Sequence, residues 1–185
     1  MPKKYQGNLL IANPSNPKDF LNQAVLLLVT HTDSIGIALQ INAVHEEINL
    51  TSIGTGMGIP YIGKEPVWYG GNISVNKIHV VHSLDWRSMT TVALNKEIGI
   101  TNDIGVLSAI SQGQGPMYFK ACAGYWLWEE GKLDEMLNPR CPNPKEPYRW
   151  EIVPANMENV FEIPPEELWM ESIKDAAKLK VSEWL

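Results

Sequence analysis

The stretch HSLDW brings together His82, Ser83 and Asp85, the three side-chain types of a hydrolase triad. Along a strand, however, neighbouring side chains point to opposite faces. His82 and Ser83 therefore cannot meet as base and nucleophile, and no GxSxG elbow accompanies them. His79 and His82 have the spacing of two metal ligands on a helix, but a strand puts them on opposite faces. The run His45, Glu46, Glu47 lacks the second histidine of HExxH. GTGMG, Gly54 to Gly58, imitates part of a dinucleotide fingerprint, yet it follows no long buried strand and reads as a flexible turn. No catalytic set, metal or cofactor is expected from these residues.

Two other stretches point to binding rather than reaction. In WYGGN, the paired Gly70 and Gly71 allow positive φ or close approach of another backbone. A tight turn alone accounts for them. The functional alternative is a cradle for a ligand, with Tyr69 as a wall and Asn72 as the hydrogen-bonding group. In ACAGYWLWEEGKLDEM, Gly124 falls where a strand should give way to a helix, and Tyr125, Trp126 and Trp128 follow at once. Such aromatics bury a large area while keeping a polar handle, so they suit both packed cores and partly open sites. Packed tryptophans with one edge exposed are expected here, with Glu129, Glu130, Asp134 and Glu135 on a solvated helix face.

The elements that must position these residues follow from periodicity. GNLLIANP reads as a strand stopped by Pro14; AVLLLVTH and IGIALQIN read as a buried hairpin joined at TDS. INLTSIGTGMG is a short helix or turn leading into a loop. PVWYGG and KIHVVHS are strands flanking the turn GGNISVN, and the alternation in WRSMTTVALN predicts another. Thr101, Asn102 and Asp103 offer N-caps to a helix with Ile104, Leu107 and Ile110 on one stripe, ended by Gly113. MYFKACAGY returns to strand, and Leu127 to Leu137 is predicted as helix with Leu133, Met136 and Leu137 on one face. NPRCPNPKEP is an exposed loop because its prolines lack donors. YRWEIVPA and NVFEI are short strands, and PPEELWMESIKDAAKLK is a closing helix with proline and acids in its first turn. Many short strands with a few helices between them make an α+β fold with a curved, mostly antiparallel sheet.

Composition narrows the function classes. The chain has 185 residues, 44% hydrophobic and 19% charged, which suits one domain spanning residues 1–185 with a real core. Its formal net charge is −6 and its basic residues are scattered, so direct nucleic-acid binding is not expected. Cys122 and Cys141 lie in no CxxC or Cys/His pattern, and two free thiols in a reducing cytoplasm are the simpler expectation. The N-terminal stretch MPKKYQGNLLIANP has too short an apolar run for a signal peptide, and the longest apolar run, Ala24 to Val29, is too short for a membrane helix. The expected location is the cytoplasm, with no membrane association.

Laid side by side, these stretches resemble the AlgH/YqgE family along nearly the whole chain. GNLLIANP and VLLLVTH are similar to the family's opening strands, GIALQIN to its glycine-led strand ending in asparagine (here Asn42), and VWYGGN and VVHS to its YGG turn and histidine-serine strand end. GYWLWEEGKLDEM and IPPEELWMESI are similar to its aromatic corner with acidic helix and to its terminal helix. Asn72 stands where the family usually has proline, Leu127 replaces the corner's second glycine, Lys132 replaces a glutamine, and NPRCPNPKEP looks like an insertion. The resemblance implies a bent, partly barrel-like sheet flanked by helices, and it implies no reaction chemistry. It also implies a regulatory role, transcriptional in AlgH's naming, that needs no direct DNA contact. The expected function is a non-enzymatic regulatory or adaptor protein that binds a protein partner. The expected site comprises Tyr69, Gly70, Gly71, Asn72, His82, Gly124, Tyr125, Trp126 and Trp128. The alternative is a small-molecule binder or weak enzyme using the same cleft, with His82 as its polar group.

Overall fold

A computed structural model describes residues 5–14, 21–60, 63, 65–137 and 148–182. The described chain runs through strands β1 (Asn8–Pro14), β2 (Val25–His31), β3 (Ile35–Gln40) and β4 (Val44–Asn49), then helix α1 (Leu50–Gly56). Strands β5 (Pro66–Tyr69), β6 (Ile73–Ser83), β7 (Val92–Ala93) and β8 (Ile98–Thr101) follow, then α2 (Gly105–Ser111) and β9 (Phe119–Glu129). Helix α3 (Lys132–Leu137), strand β10 (Tyr148–Pro154), a π-helical turn (Glu158–Glu162) and α4 (Pro165–Ser182) complete it. The strands form a curled half-barrel in the order β10-β1-β2-β3-β9-β6-β8-β7, with β5 pairing both β4 and β9. The pairs are antiparallel except for β5 with β9. This is the α+β, curved and mostly antiparallel architecture that the short strands predict.

The continuous apolar runs of β1 and β2 reflect burial on both faces. Leu9, Ile11, Val25 and Leu27 join Leu39, Trp68, Val81, Cys122 and Ile98 in one inner cluster, which Leu168 and Ala176 of α4 help to fill. Leu10, Ala12, Leu26 and Leu28 face outward, where they pack with Ala38, Trp126 and Leu133 of α3. At the other end of the outer face, Val67, Val80, Ala121 and Ala123 are covered by Leu50 of α1 and Val106 and Leu107 of α2. Asn42 ties the hairpin's base, accepting from Val25 N at 2.9 Å and donating to Gln23 O at 2.8 Å. Trp169 Nε1 fastens α4 to β1 by donating to Ala12 O at 2.6 Å.

Several elements depart from the sequence reading. Ser88, Thr90 and Thr91 form a hydrogen-bonded turn instead of a strand: Thr91 Oγ1 accepts from Ser88 N at 2.9 Å, and only Val92 and Ala93 reach β8. Short hydroxyl side chains compete here with the strand ladder. NVFEI lies in the π-helical turn, where Asn156 and Asn159 each accept from the other's backbone N–H at 2.8 and 2.9 Å. Helix α2 begins at Gly105, whose N–H donates to Asp103 Oδ1 at 2.9 Å; Thr101 ends β8 and Ile104 is exposed, leaving Val106 and Leu107 as the buried contacts. The predicted turn GGNISVN is shorter, because β6 already begins at Ile73, with Ser74 at φ 51° where the register slips.

The largest departure concerns the aromatic corner. No helix begins at Leu127: β9 continues to Glu129, pairing Trp126, Leu127, Trp128 and Glu129 with Ala38, Ile37, Gly36 and Ile35. Only Lys132–Leu137 is helical, after Gly131 turns the chain at φ 71°. The acids split accordingly, with Glu129 and Glu130 at the strand end and Asp134 and Glu135 on the helix. Helix α3 then folds back so that Leu133 sits on Gly36, where an added Cβ would come within 2.7 Å of Leu133 Cδ2. The sequence NPRCPNPKEP, including Cys141, lies outside the described residues, while Cys122 is a free, buried thiol.

Candidate functional site

Strand β9 changes neighbours halfway along one edge. Ala121 to Ala123 pair in parallel with Val67 to Tyr69 of β5, and from Trp126 onward the same edge pairs with β3. Gly124 lies at this fork with φ 73°, a conformation that glycine adopts without cost. The turn after β5 presses against it. A Cβ on Gly70 would lie 2.4 Å from Gly124 O, one on Gly71 2.1 Å from the carbonyl carbon of Tyr125, and one on Gly124 2.5 Å from Gly71 O. Gly70 and Gly71 are thus required by close backbone approach, and neither has positive φ. Backbone bonds lock the fork: Gly70 N donates to Ala123 O, Gln40 N to Gly70 O and Tyr69 N to Ala43 O.

Where β3 and β5 diverge, a cavity of about 400 Å³ opens, lined by Gln40, Ala43, Tyr69, Asn72 and Trp126. None of these side chains carries a formal charge. Trp126 is 7% exposed and Gln40 also 7%, whereas Asn72 stands in solvent at the mouth. His45 lies beside the Tyr69 ring, their centroids 6.2 Å apart.

Tyr69, Asn72 and Trp126, from the two stretches singled out in the sequence, therefore meet in one cavity, with Gly70, Gly71 and Gly124 as its backbone frame. Trp128 shares the outer face with Trp126 but packs against the cluster under α3. Tyr125 points to the opposite, inner face, its ring edge-on to His79 at 5.6 Å.

His82 lies elsewhere. On β9 the partners of His82 and Ile73, Phe119 and Tyr125, lie six residues apart, which at a strand rise of about 3.3 Å per residue puts His82 roughly 20 Å along the sheet from the Tyr125 pairing. Its imidazole is buried, with Nδ1 donating to Ser83 O at 2.9 Å, Nε2 3.4 Å from Thr91 Oγ1, and the ring edge-on to Trp86. Burial lowers its pKa, with Arg87 adding to the effect and the Ser83 carbonyl and Asp85 opposing it. Ser83 Oγ donates to Asp85 and accepts from Tyr118 N at 3.1 Å, while Asp85 Oδ2 accepts from Met117 N at 3.0 Å. Burial works against the Asp85 charge, but the bonds from Ser83 and Met117 outweigh it and hold the carboxyl below its usual range. Ser83 and Asp85 thus latch the entry to β9, and Ser83 is not aligned with His82 as a nucleophile.

Two features escaped the sequence reading. Gln40 and Ala43 complete the cavity, and a glutamine within the apolar run IGIALQIN was the available signal. Lys120, in the apolar strand MYFKACAGY, is only 4% exposed on the inner face. Its Nζ donates to Ile41 O at 3.1 Å and lies 3.6 Å from the Trp68 ring centroid, a cation–π contact. Burial brings its pKa down to about 8, the nearby Cys122 opposing; burial likewise pushes the Cys122 thiol up to about 12.

The curled sheet with helices on both faces places the chain in the α+β class, organised around a forked central strand. The AlgH-like family model matches residues 9–178, and the chain belongs to that family. It is similar to UPF0301 proteins of Methylococcus capsulatus, at 26% identity over 92% of this chain and 90% of that protein, and of Rhodospirillum rubrum, at 30% over 84% and 79%. Among solved structures, it shares its fold with the solution structure of AlgH from Pseudomonas aeruginosa, with TM-score 0.74 and 24% identity over 95% of this chain and 92% of that one. A protein from Corynebacterium diphtheriae matches at TM-score 0.71 and 15% identity, over 93% and 87% of the two chains. No helix among the described residues is long and apolar enough to cross a membrane.

Proposed function

We propose that this protein is a non-enzymatic regulatory or adaptor protein of the cytoplasm, and that it recognises its protein partner at the cleft between the Tyr69–Asn72 turn and the Gly124 fork. The observation that carries this reading is the cavity itself. Three backbone-close glycines frame a concave site with aromatic walls and no charged side chain among its described lining residues, the surface chemistry common to recognition sites. A side chain anchored between Tyr69 and Trp126 would supply the buried centre of such an interface. Transcriptional control through a partner is one outlet for this role and needs no contact with DNA.

The test is quantitative affinity capture from the host lysate with the wild-type protein and Ala43→Leu, which fills the cavity. The reading requires at least one reproducible partner whose recovery falls about tenfold or more with Ala43→Leu while the melting temperature stays within a few degrees. Equal recovery would refute it. A second reading, a small-molecule binder using the same cleft, is favoured by one observation: the carboxamide of Gln40 opens on the cavity and makes no hydrogen bond to a described residue.

A further inference from the structure

Gln40 sits at the end of β3, between the Leu26 pairing in β2 and the fork, and is 7% exposed. Its backbone N–H is used by Gly70 O, but its carboxamide makes no hydrogen bond to any described residue. Neither atom of the amide is sealed from solvent, so the carboxamide keeps its donor and acceptor open to the cavity. Leucine or methionine would fill this position in a strand whose neighbours Ala38, Leu39 and Ile41 are all fully buried and apolar. The donor and acceptor of Gln40 are instead kept at the wall of the cavity, with the Trp126 indole, the Tyr69 ring and the Asn72 amide around the same space.

We propose that the Gln40 carboxamide reads an uncharged, flat heterocycle with an adjacent donor and acceptor on one edge, as in a free nucleobase or nucleoside, held against the aromatic surfaces of Trp126 and Tyr69. The inference rests on the small-molecule reading of the cleft and specifies its ligand. Three features of the site select this class. A planar carboxamide pairs with an adjacent donor and acceptor through two parallel bonds, the geometry by which glutamine and asparagine read adenine. Aromatic walls favour a flat π-system over an aliphatic group of equal size. Among the described lining residues there is no lysine, arginine or carboxylate, which favours an uncharged ligand, because a phosphate or carboxylate held against them would be desolvated without a counter-charge. The volume, about 400 Å³, admits a base with its sugar but not a packed dinucleotide. Asn72, exposed at the mouth, is placed to meet the group that projects from the heterocycle.

Intrinsic fluorescence and calorimetric titration of the full chain with adenine, guanine, cytosine and uracil and their nucleosides test this, with phenol and benzoate as controls for plain aromatic and charged aromatic ligands. At least one base or nucleoside should bind with a dissociation constant of millimolar or tighter, ahead of both controls. Gln40→Leu should weaken that binding tenfold or more without lowering the melting temperature, because the carboxamide holds no described residue in place; a glutamine kept for structure alone would lower it. Binding that is unchanged in Gln40→Leu, or controls that bind as well as the bases, overturns the proposal. So does the absence of binding by every base and nucleoside. If protein capture is nevertheless lost in Ala43→Leu, the cleft remains a partner-recognition surface and only the heterocycle is wrong. If neither is seen, both readings fall.

Discussion

Lys120 is the residue whose burial is least expected from its chemistry. Its ammonium is satisfied by one carbonyl and one indole face, with no carboxylate of the described residues against it. Its pKa is near 8 in the fold against 10.5 when unfolded, so the unfolded chain binds the extra proton between those values. Stability therefore rises with pH across that window, by on the order of 3 kcal/mol for this group alone, and is lowest below pH 8, where the buried ammonium persists. Urea titrations at pH 7.5 and 10.5 should show that rise relative to Lys120→Met, in which it disappears; at pH 7.5 the variant should be the more stable protein by about 2 kcal/mol. The glycines give a sharper contrast. Gly71→Ala puts a methyl group 2.1 Å from backbone and should cost about 3 kcal/mol or more. Gly56→Ala, with open space around its Cβ and helical backbone, should stabilise by roughly 0.5–1 kcal/mol in the same denaturation assay.

At the scale of elements, the fork in β9 governs the site. One positive-φ glycine lets a strand leave β5 and join β3 without a break, and the divergence of those two strands makes the cavity. Strands β1, β2 and β3 were legible because uninterrupted runs of branched apolar residues leave few alternatives. The second half of β9 was not, because the acids and Leu133, Met136 and Leu137 at helical spacing extend a helix backward over residues whose strand partners lie far away in sequence. Pairing with Ile35 to Ala38 overrides that local signal. The same distance hid Gln40 and Ala43: the aromatics and the paired glycines announce a site by type, but its other wall comes from a segment that only the fork brings near. Helix α3, shorter than its sequence suggests, depends on Leu133 over Gly36. Leu133→Ala should cost about 2–4 kcal/mol, and hydrogen exchange should show α3 amides losing protection while those of β1 and β2 keep theirs.

For the whole molecule, the distribution of helices sets which parts of the sheet are covered. Helix α4 and the inner cluster fill the concave face, α3 covers one end of the outer face and α1 with α2 the other; the cleft lies between them. The net charge of −6 opposes non-specific attraction to a polyanion. At the cleft the molecule presents a recess framed by close backbone contacts, with no charged side chain among its described lining residues. The most direct test of that claim is site-specific photo-cross-linking in host lysate, with the photoreactive residue placed at Asn72 at the cleft mouth or at the fully exposed Met89 on the distant turn. A discrete adduct formed from position 72 and absent from position 89 is the predicted result. Adducts formed equally from both positions, or only from position 89, would contradict the assignment of recognition to the cleft.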